Sequence, residues 1–177
     1  RQIISKEEGD GITMDCLGAL GPTKISLPCI AWSKMNDVGI PAACEADIGA
    51  AITLTLVHYL FDRPGFQQDP VPETTKGCLI GAHCSCPTRL EGYNNKPEPF
   101  NLMHHHGNRD AVPRPFWRTG KRVTIADVLT ENIGAEKTPS KKQQMYISTG
   151  TVVDNISVPP SGGCVVSVMV KLDTEPD

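Results

Sequence analysis

The stretch Asp47-Ile48-Gly49-Ala50-Ala51-Ile52-Thr53-Leu54-Thr55-Leu56-Val57-His58-Tyr59-Leu60-Phe61 sets Ile48, Ala51, Ile52, Leu56, Tyr59 and Leu60 at three- and four-residue steps. That is the spacing of one face of an α-helix. Asp47 stands where a cap or first-turn acid is favoured, because the unpaired N–H groups of a first turn attract an oxygen acceptor. Arg63-Pro64-Gly65 stops the helix. Downstream, Phe66 to Asp69 reads as a short strand, and Gly77-Cys78-Leu79-Ile80-Gly81-Ala82-His83-Cys84 is an almost unbroken apolar run of the kind buried on both faces of a sheet. Upstream, Gly11 to Leu17 reads as another short buried strand, Gly18 to Pro28 as a loop, Pro28 to Ser33 as a compact apolar element, and Asn36 to Pro41 as turn chemistry. This strand, helix, strand alternation predicts the end of an α/β domain over residues 1–90.

The character changes after Pro87. Seven of the 15 prolines lie between Pro70 and Pro115, and helical periodicity is absent beyond them. Arg122 to Leu129, Gln143 to Val153 and Gly163 to Leu172 are short, β-branched runs separated by turn residues. Residues 91–177 are therefore expected to form a mostly β domain, a small antiparallel barrel or sandwich, with Glu136 to Gln144 as a polar, Lys-rich loop. The expected fold class is α/β, with that β domain appended.

A 177-residue chain that is 39% hydrophobic can bury a core. Its net charge of -3 comes from 17 basic and 20 acidic residues with no block of either sign, so nothing steers it toward nucleic acid or an anionic membrane. The sequence holds no apolar run long enough for a transmembrane helix and no signal-peptide pattern at Arg1 to Asp10, which makes a cytoplasmic location the expectation. The chain begins with Arg1 rather than Met and stops just after a strand-like run, as a piece of something longer would. Seven cysteines in apolar contexts read as reduced, mostly buried thiols. The tightest pair, Cys84-Ser85-Cys86, is spaced more closely than structural zinc pairs and has no second pair to join it. A thiol nucleophile at Cys84 or Cys44 is disfavoured by apolar surroundings that raise thiol pKa.

Three candidate ligands stand at element boundaries: Glu45 at the entrance to the helix, Asp69 at a strand end, and His83 at the end of the apolar strand. Side chains at the carboxyl ends of strands are well placed to share a site. Two carboxylates with an imidazole suit a divalent cation such as Mn²⁺. Taken singly, each has a plainer reading, as a first-turn acid, a turn residue before Pro70, or a hydrogen-bonded core histidine. His104-His105-His106 follows a strand-like run and adds further imidazoles, with His105 on the opposite face from its neighbours.

The order of these motifs carries a resemblance. Pro28 to Ser33, then Gly39-Ile40-Pro41-Ala42-Ala43-Cys44-Glu45-Ala46-Asp47, then Phe66-Gln67-Gln68-Asp69, then Gly81-Ala82-His83-Cys84-Ser85-Cys86-Pro87 together resemble the family of L-fucose isomerase and L-arabinose isomerase, including fucose-isomerase-like proteins. The likeness is strongest from Asp15 to Pro87 and weaker, though collinear, from Val123 to Leu172. It implies the carboxy-terminal portion of a metal-dependent aldose-ketose isomerase acting on a sugar such as L-fucose or L-arabinose through a cis-enediol. Under it, Glu45 and Asp69 combine metal ligation with acid/base work, His83 ligates or orients substrate, and Trp32, Asn36 and His105 line the sugar pocket. Mn²⁺ or another divalent cation is the implied cofactor, and a homo-oligomer, trimer or hexamer, the implied assembly. The family's last metal-binding histidine sits in a His-His pair beyond where this chain stops, so that role is not carried onto His104, His105 or His106. Without the family's amino-terminal domains the chain is expected to hold a partial site and to be inactive alone. The alternatives are a non-catalytic sugar-binding or oligomerisation domain of the same fold, and a zinc protein using Cys84, Cys86 and nearby histidines.

Overall fold

The structure is a computed structural model, and it describes residues 1–105, 109–129, 144–157 and 164–173. The elements run α1 (Gln2–Lys6), β1 (Ile12–Met14), α2 (Cys29–Asn36), β2 (Ala42–Cys44), α3 (Ile48–Phe61), β3 (Asp69–Glu73), β4 (Cys78–His83), β5 (Phe100–Met103), β6 (Val112–Pro115), β7 (Arg122–Leu129), β8 (Gln144–Asn155) and β9 (Val166–Leu172).

The α/β class expected from the alternation does not hold. Strand accounts for 35% of the described residues and helix for 18%, and the largest sheet is antiparallel throughout, in the order β3-β4-β9-β8-β7. The buried run of β4 does not join β1 and β2. It pairs with β9 instead, from Leu79 opposite Val170 to His83 opposite Val166. A run buried on both faces reads the same in a parallel and an antiparallel sheet, which is why the pattern misled. The only parallel pairing among the described residues is β1 with β2, three residues long, with α2 in the crossover. Nor do the described strands close into a barrel: the five-stranded sheet stays open, and β5 with β6 makes a separate two-stranded pair.

The expected strand over Phe66 to Asp69 begins only at Asp69 and runs on through Pro70 and Pro72. Proline has no N–H to donate, so this strand fits at the sheet's edge. The compact element at Pro28 to Ser33 is the start of α2. Of the polar, Lys-rich segment, residues 136–143 lie outside the described residues and Gln144 opens β8.

Helix α3 forms where its spacing places it, and the Asp47 carboxylate accepts the Ala50 N–H at 2.8 Å as its cap. Its buried side is not the expected one. Gly49, Thr53 and Leu54 are buried, whereas Ile48, Tyr59, Leu60 and Phe61 are exposed. Almost every position in α3 is apolar, so hydrophobicity alone could not choose a face. Asp62, left-handed at φ 49°, ends the helix ahead of Pro64.

Buried apolar residues form two packed clusters. One gathers Cys16, Leu27, Cys29, Trp32, Ala42, Cys44, Cys84, Cys86, Leu90, Val112 and Val166, and the other Val152, Val168 and Val170. Phe66 and Trp117 pack against both, their rings 5.9 Å apart. No helix among the described residues is long and apolar enough to cross a membrane.

Candidate metal centre

Glu45 follows the last residue of β2 in the turn that leads to α3. Its backbone is left-handed at φ 65°, and Ala46 shares that region at φ 55°. For residues with a Cβ such a conformation costs about 1–3 kcal/mol each and persists only where the surroundings impose it. Here the Ala46 N–H donates to Met14 O at 3.0 Å and the Asp47 N–H to Cys44 O at 3.1 Å. The turn therefore aims the Glu45 side chain rather than letting it swing as an ordinary first-turn acid does.

Asp69 opens β3 opposite Ala82, one residue short of His83. The segment before it is anchored by Gln67, whose amide oxygen accepts the Cys44 N–H at 2.7 Å while its amide nitrogen donates to Cys44 O at 3.4 Å. That buried clasp brings the β3 approach against the end of β2, and so Asp69 toward Glu45.

His83 ends β4, and its side chain is 0% exposed. Its two nitrogens face different chemistry. Nε2 lies 3.7 Å from Glu45 Oε1 and 4.0 Å from Asp69 Oδ2, and it is buried without a hydrogen-bond partner. Nδ1 accepts the Cys84 N–H at 2.9 Å and lies 3.6 Å from Cys84 Sγ, which in turn is 4.0 Å from Cys44 Sγ. Two sets of side chains able to hold a metal ion thus meet at one imidazole: Glu45, Asp69 and His83 on an oxygen edge, and Cys44, His83 and Cys84 on a sulfur edge, the ligand atoms of each lying within 4.8 Å of one another. The oxygen edge opens outward, from the enclosed imidazole through Glu45 at 31% to Asp69 at 64% side-chain exposure.

The charges follow this layout. Burial is the largest effect on Glu45 and holds its carboxyl above the ordinary range; the charges of Asp69, Cys44 and Asp47 add to it, and His83 opposes. Burial also pulls the His83 pKa down, but the adjoining Cys44 sulfur, by hydrogen bond and by charge, together with Cys164 and Asp69, pushes it up to about 9. Cys44 is held well below the usual thiol range by hydrogen bonds from Cys16 and Cys84. Cys84 is pushed far above it, first by Cys164 and then by Cys29 and Cys44.

A cavity of about 220 Å³ opens beside both edges, lined by Glu45, Asp69, Cys84 and His105 and floored by further thiols. His105 stands just beyond β5 with Nε2 3.5 Å from Cys164 Sγ. His104 turns elsewhere, its Nδ1 2.8 Å from Asp110 O, and His106 lies outside the described residues. Trp32 is buried in the core with its Nε1 unpartnered, and it is not among the residues lining the cavity. Asn36 is also away from the cavity. Its amide clasps Ala42 in both directions at 2.9 Å, which fixes α2 against β2. Cys86, weighed with Cys84 as a zinc pair, points away, its thiol donating to Pro87 O.

The sequence reading missed Gln67 and the convergence of thiols. Gln67 had no signal beyond standing two residues before Asp69. Buried cysteines pass for small apolar residues, so their meeting point is invisible along the chain. No family model matches the chain, and no curated protein matches it.

Proposed function

We propose that Glu45, Asp69 and His83 hold a divalent cation such as Mn²⁺, and that the chain contributes this centre to an aldose-ketose isomerase acting on a small sugar. The observation that carries the reading is the His83 Nε2 atom, buried, without a hydrogen-bond partner, and facing two carboxylates, where it ligates once the ring proton stands on Nδ1 in place of the Cys84 N–H contact. An unpartnered buried nitrogen is costly unless something binds it. Two carboxylate oxygens and one imidazole nitrogen are a donor set that suits Mn²⁺. The strained turn at Glu45 supports the same reading, since strain of this kind collects where a side chain must be aimed.

A bound cation supplies polarisation of a sugar carbonyl and a lowered pKa at the neighbouring hydroxyl. The chain's own residues supply the rest. Glu45 is placed to take a proton from one carbon and return it to the next, with the charge of the cation beside it setting its proton affinity. Asp69, largely exposed at the mouth, meets the sugar first and orients its hydroxyls. His105, across the cavity, offers a further polar contact. The exposed apolar residues of α3 support burial against another domain or a second copy, as an oligomeric isomerase needs.

Calorimetric titration with Mn²⁺, with aldose-to-ketose conversion assayed alongside, tests the proposal. One Mn²⁺ site is expected. Glu45→Gln should weaken it by more than the roughly 10–100-fold that loss of an outer-shell partner costs, with the circular dichroism spectrum unchanged. Mn²⁺ binding without turnover in any assembly would leave a metal-bound sugar-binding or oligomerisation domain, and unaltered binding by the variant removes Glu45 from the centre.

A further inference from the structure

We propose that the sulfur edge of His83 is a second cation site, one for a thiophilic ion such as Zn²⁺, Cd²⁺ or Cu⁺, built on Cys44, Cys84 and His83 Nδ1 with Cys29 and Cys164 in reach. The seven cysteines of the chain are all free thiols. Five of them come to one place from five segments of the chain. Cys16 follows β1, Cys29 starts α2, Cys44 ends β2, Cys84 follows β4 and Cys164 precedes β9. Cys16, Cys29, Cys84 and Cys164 line the same cavity, and Cys84 Sγ lies 4.0 Å from Cys44 Sγ.

The spacing fits a tetrahedral ion. Two thiolates about 2.3 Å from a tetrahedral Zn²⁺ stand about 3.8 Å apart, and a thiolate and an imidazole nitrogen on the same ion stand about 3.6 Å apart. Cys44 Sγ and Cys84 Sγ are 4.0 Å apart, and Cys84 Sγ is 3.6 Å from His83 Nδ1. A fourth position can be filled by Cys164 or Cys29, which line the same cavity as Cys84. Thiolate donors select soft cations over Mn²⁺ or Mg²⁺, so the two edges of His83 sort ions by chemistry. The cavity that Asp69 and Glu45 open to solvent is the entry path.

Binding replaces the Cys84 N–H contact at Nδ1, and each ligating thiol gives its proton to solvent. The ring's remaining proton then sits on Nε2, facing Glu45 and Asp69, and carboxylates so placed orient metal-bound histidines. A neutral imidazole has a single free lone pair, so a thiophilic ion on the sulfur edge and an oxygen-preferring ion on the other exclude one another. That exclusion rests on the reading of the oxygen edge given above; the sulfur site itself does not.

The test is a Cd²⁺ titration of the reduced protein, followed by thiolate-to-cadmium charge-transfer absorption, with X-ray absorption on the Zn²⁺-loaded wild type. One equivalent of Cd²⁺ should develop the absorption, and Cys84→Ser should weaken binding at least tenfold. The Zn²⁺ spectrum should show sulfur ligands at about 2.3 Å. An oxygen and nitrogen shell alone, or a wild-type protein without the charge-transfer band, overturns the sulfur site whatever the fold of the variants. Mn²⁺ calorimetry on the same samples decides the oxygen edge separately.

Discussion

Gln67 shows how much of the centre depends on a side chain that is not itself a ligand. Its amide satisfies both the N–H and the C=O of Cys44 at the end of β2, where water cannot take its place. Gln67→Ala leaves that buried pair unsatisfied, at a cost of about 1–3 kcal/mol, and frees the segment that carries Asp69. The urea midpoint should fall, and Mn²⁺ affinity should fall by about 10–100-fold, as for loss of an outer-shell partner. A variant that loses stability but keeps its Mn²⁺ affinity would confine Gln67 to packing. Glu45 makes a related point, since its residue type suggests a ligand while its left-handed backbone comes from contacts with Met14 and Cys44 on either side of the turn.

At the scale of the element, α3 is attached to the sheet through a hydroxyl. Thr53 Oγ1 donates to Gly49 O at 2.8 Å and accepts the Val128 N–H of β7 at 3.0 Å, all buried. Gly49, one turn earlier, has no side chain to hold the helix away. Thr53→Val preserves shape and removes both bonds, leaving the Val128 N–H unpaired at about 1–3 kcal/mol, while Thr53→Ser keeps the hydroxyl. Chemical denaturation should place the serine variant well above the valine variant; equal midpoints would show that apolar packing alone seats α3. The same contact explains why the expected apolar face was wrong. The helix was read by its apolar spacing, but with apolar residues on every side the tertiary contact was chosen by a polar tie and a small residue.

Over the whole molecule, the far edge of the five-stranded sheet is closed by one carboxylate. Asp173, just past β9, takes hydrogen bonds from both Arg122 terminal nitrogens of β7 and from the Thr149 hydroxyl of β8, and its own N–H donates to Thr149 O. Hydrogen bonds from Arg122, then Thr149, hold its carboxyl well below the ordinary carboxylate range. A depressed folded pKa stabilises the fold above the unfolded value, about 3.9 for Asp, and the benefit is lost as pH falls below it. Thermal melts should show wild type above Asp173→Asn at neutral pH, with the gap closing below about pH 4. A gap that stays constant into acid would assign it to packing instead.

The sequence by itself determined what is local. Asp47 as a cap, α3 as a helix, the β runs of the second half and the candidate ligands Glu45, Asp69 and His83 were legible because caps, periodicity and side-chain chemistry act over a few residues. Tertiary structure decided who meets whom. The pattern of β4 says that both its faces are buried, yet its neighbour is β9, more than 80 residues later in the chain and antiparallel, and that pairing turned an expected α/β fold into a mostly β one. Glu45, Asp69 and His83 come together only because the Gln67 clasp and the β3–β4 register bring three segments to one point. The sulfur edge had no sequence signal, because a buried cysteine obeys the same apolar pattern as alanine or valine, and only folding reveals that five of them share one cavity wall and its underside.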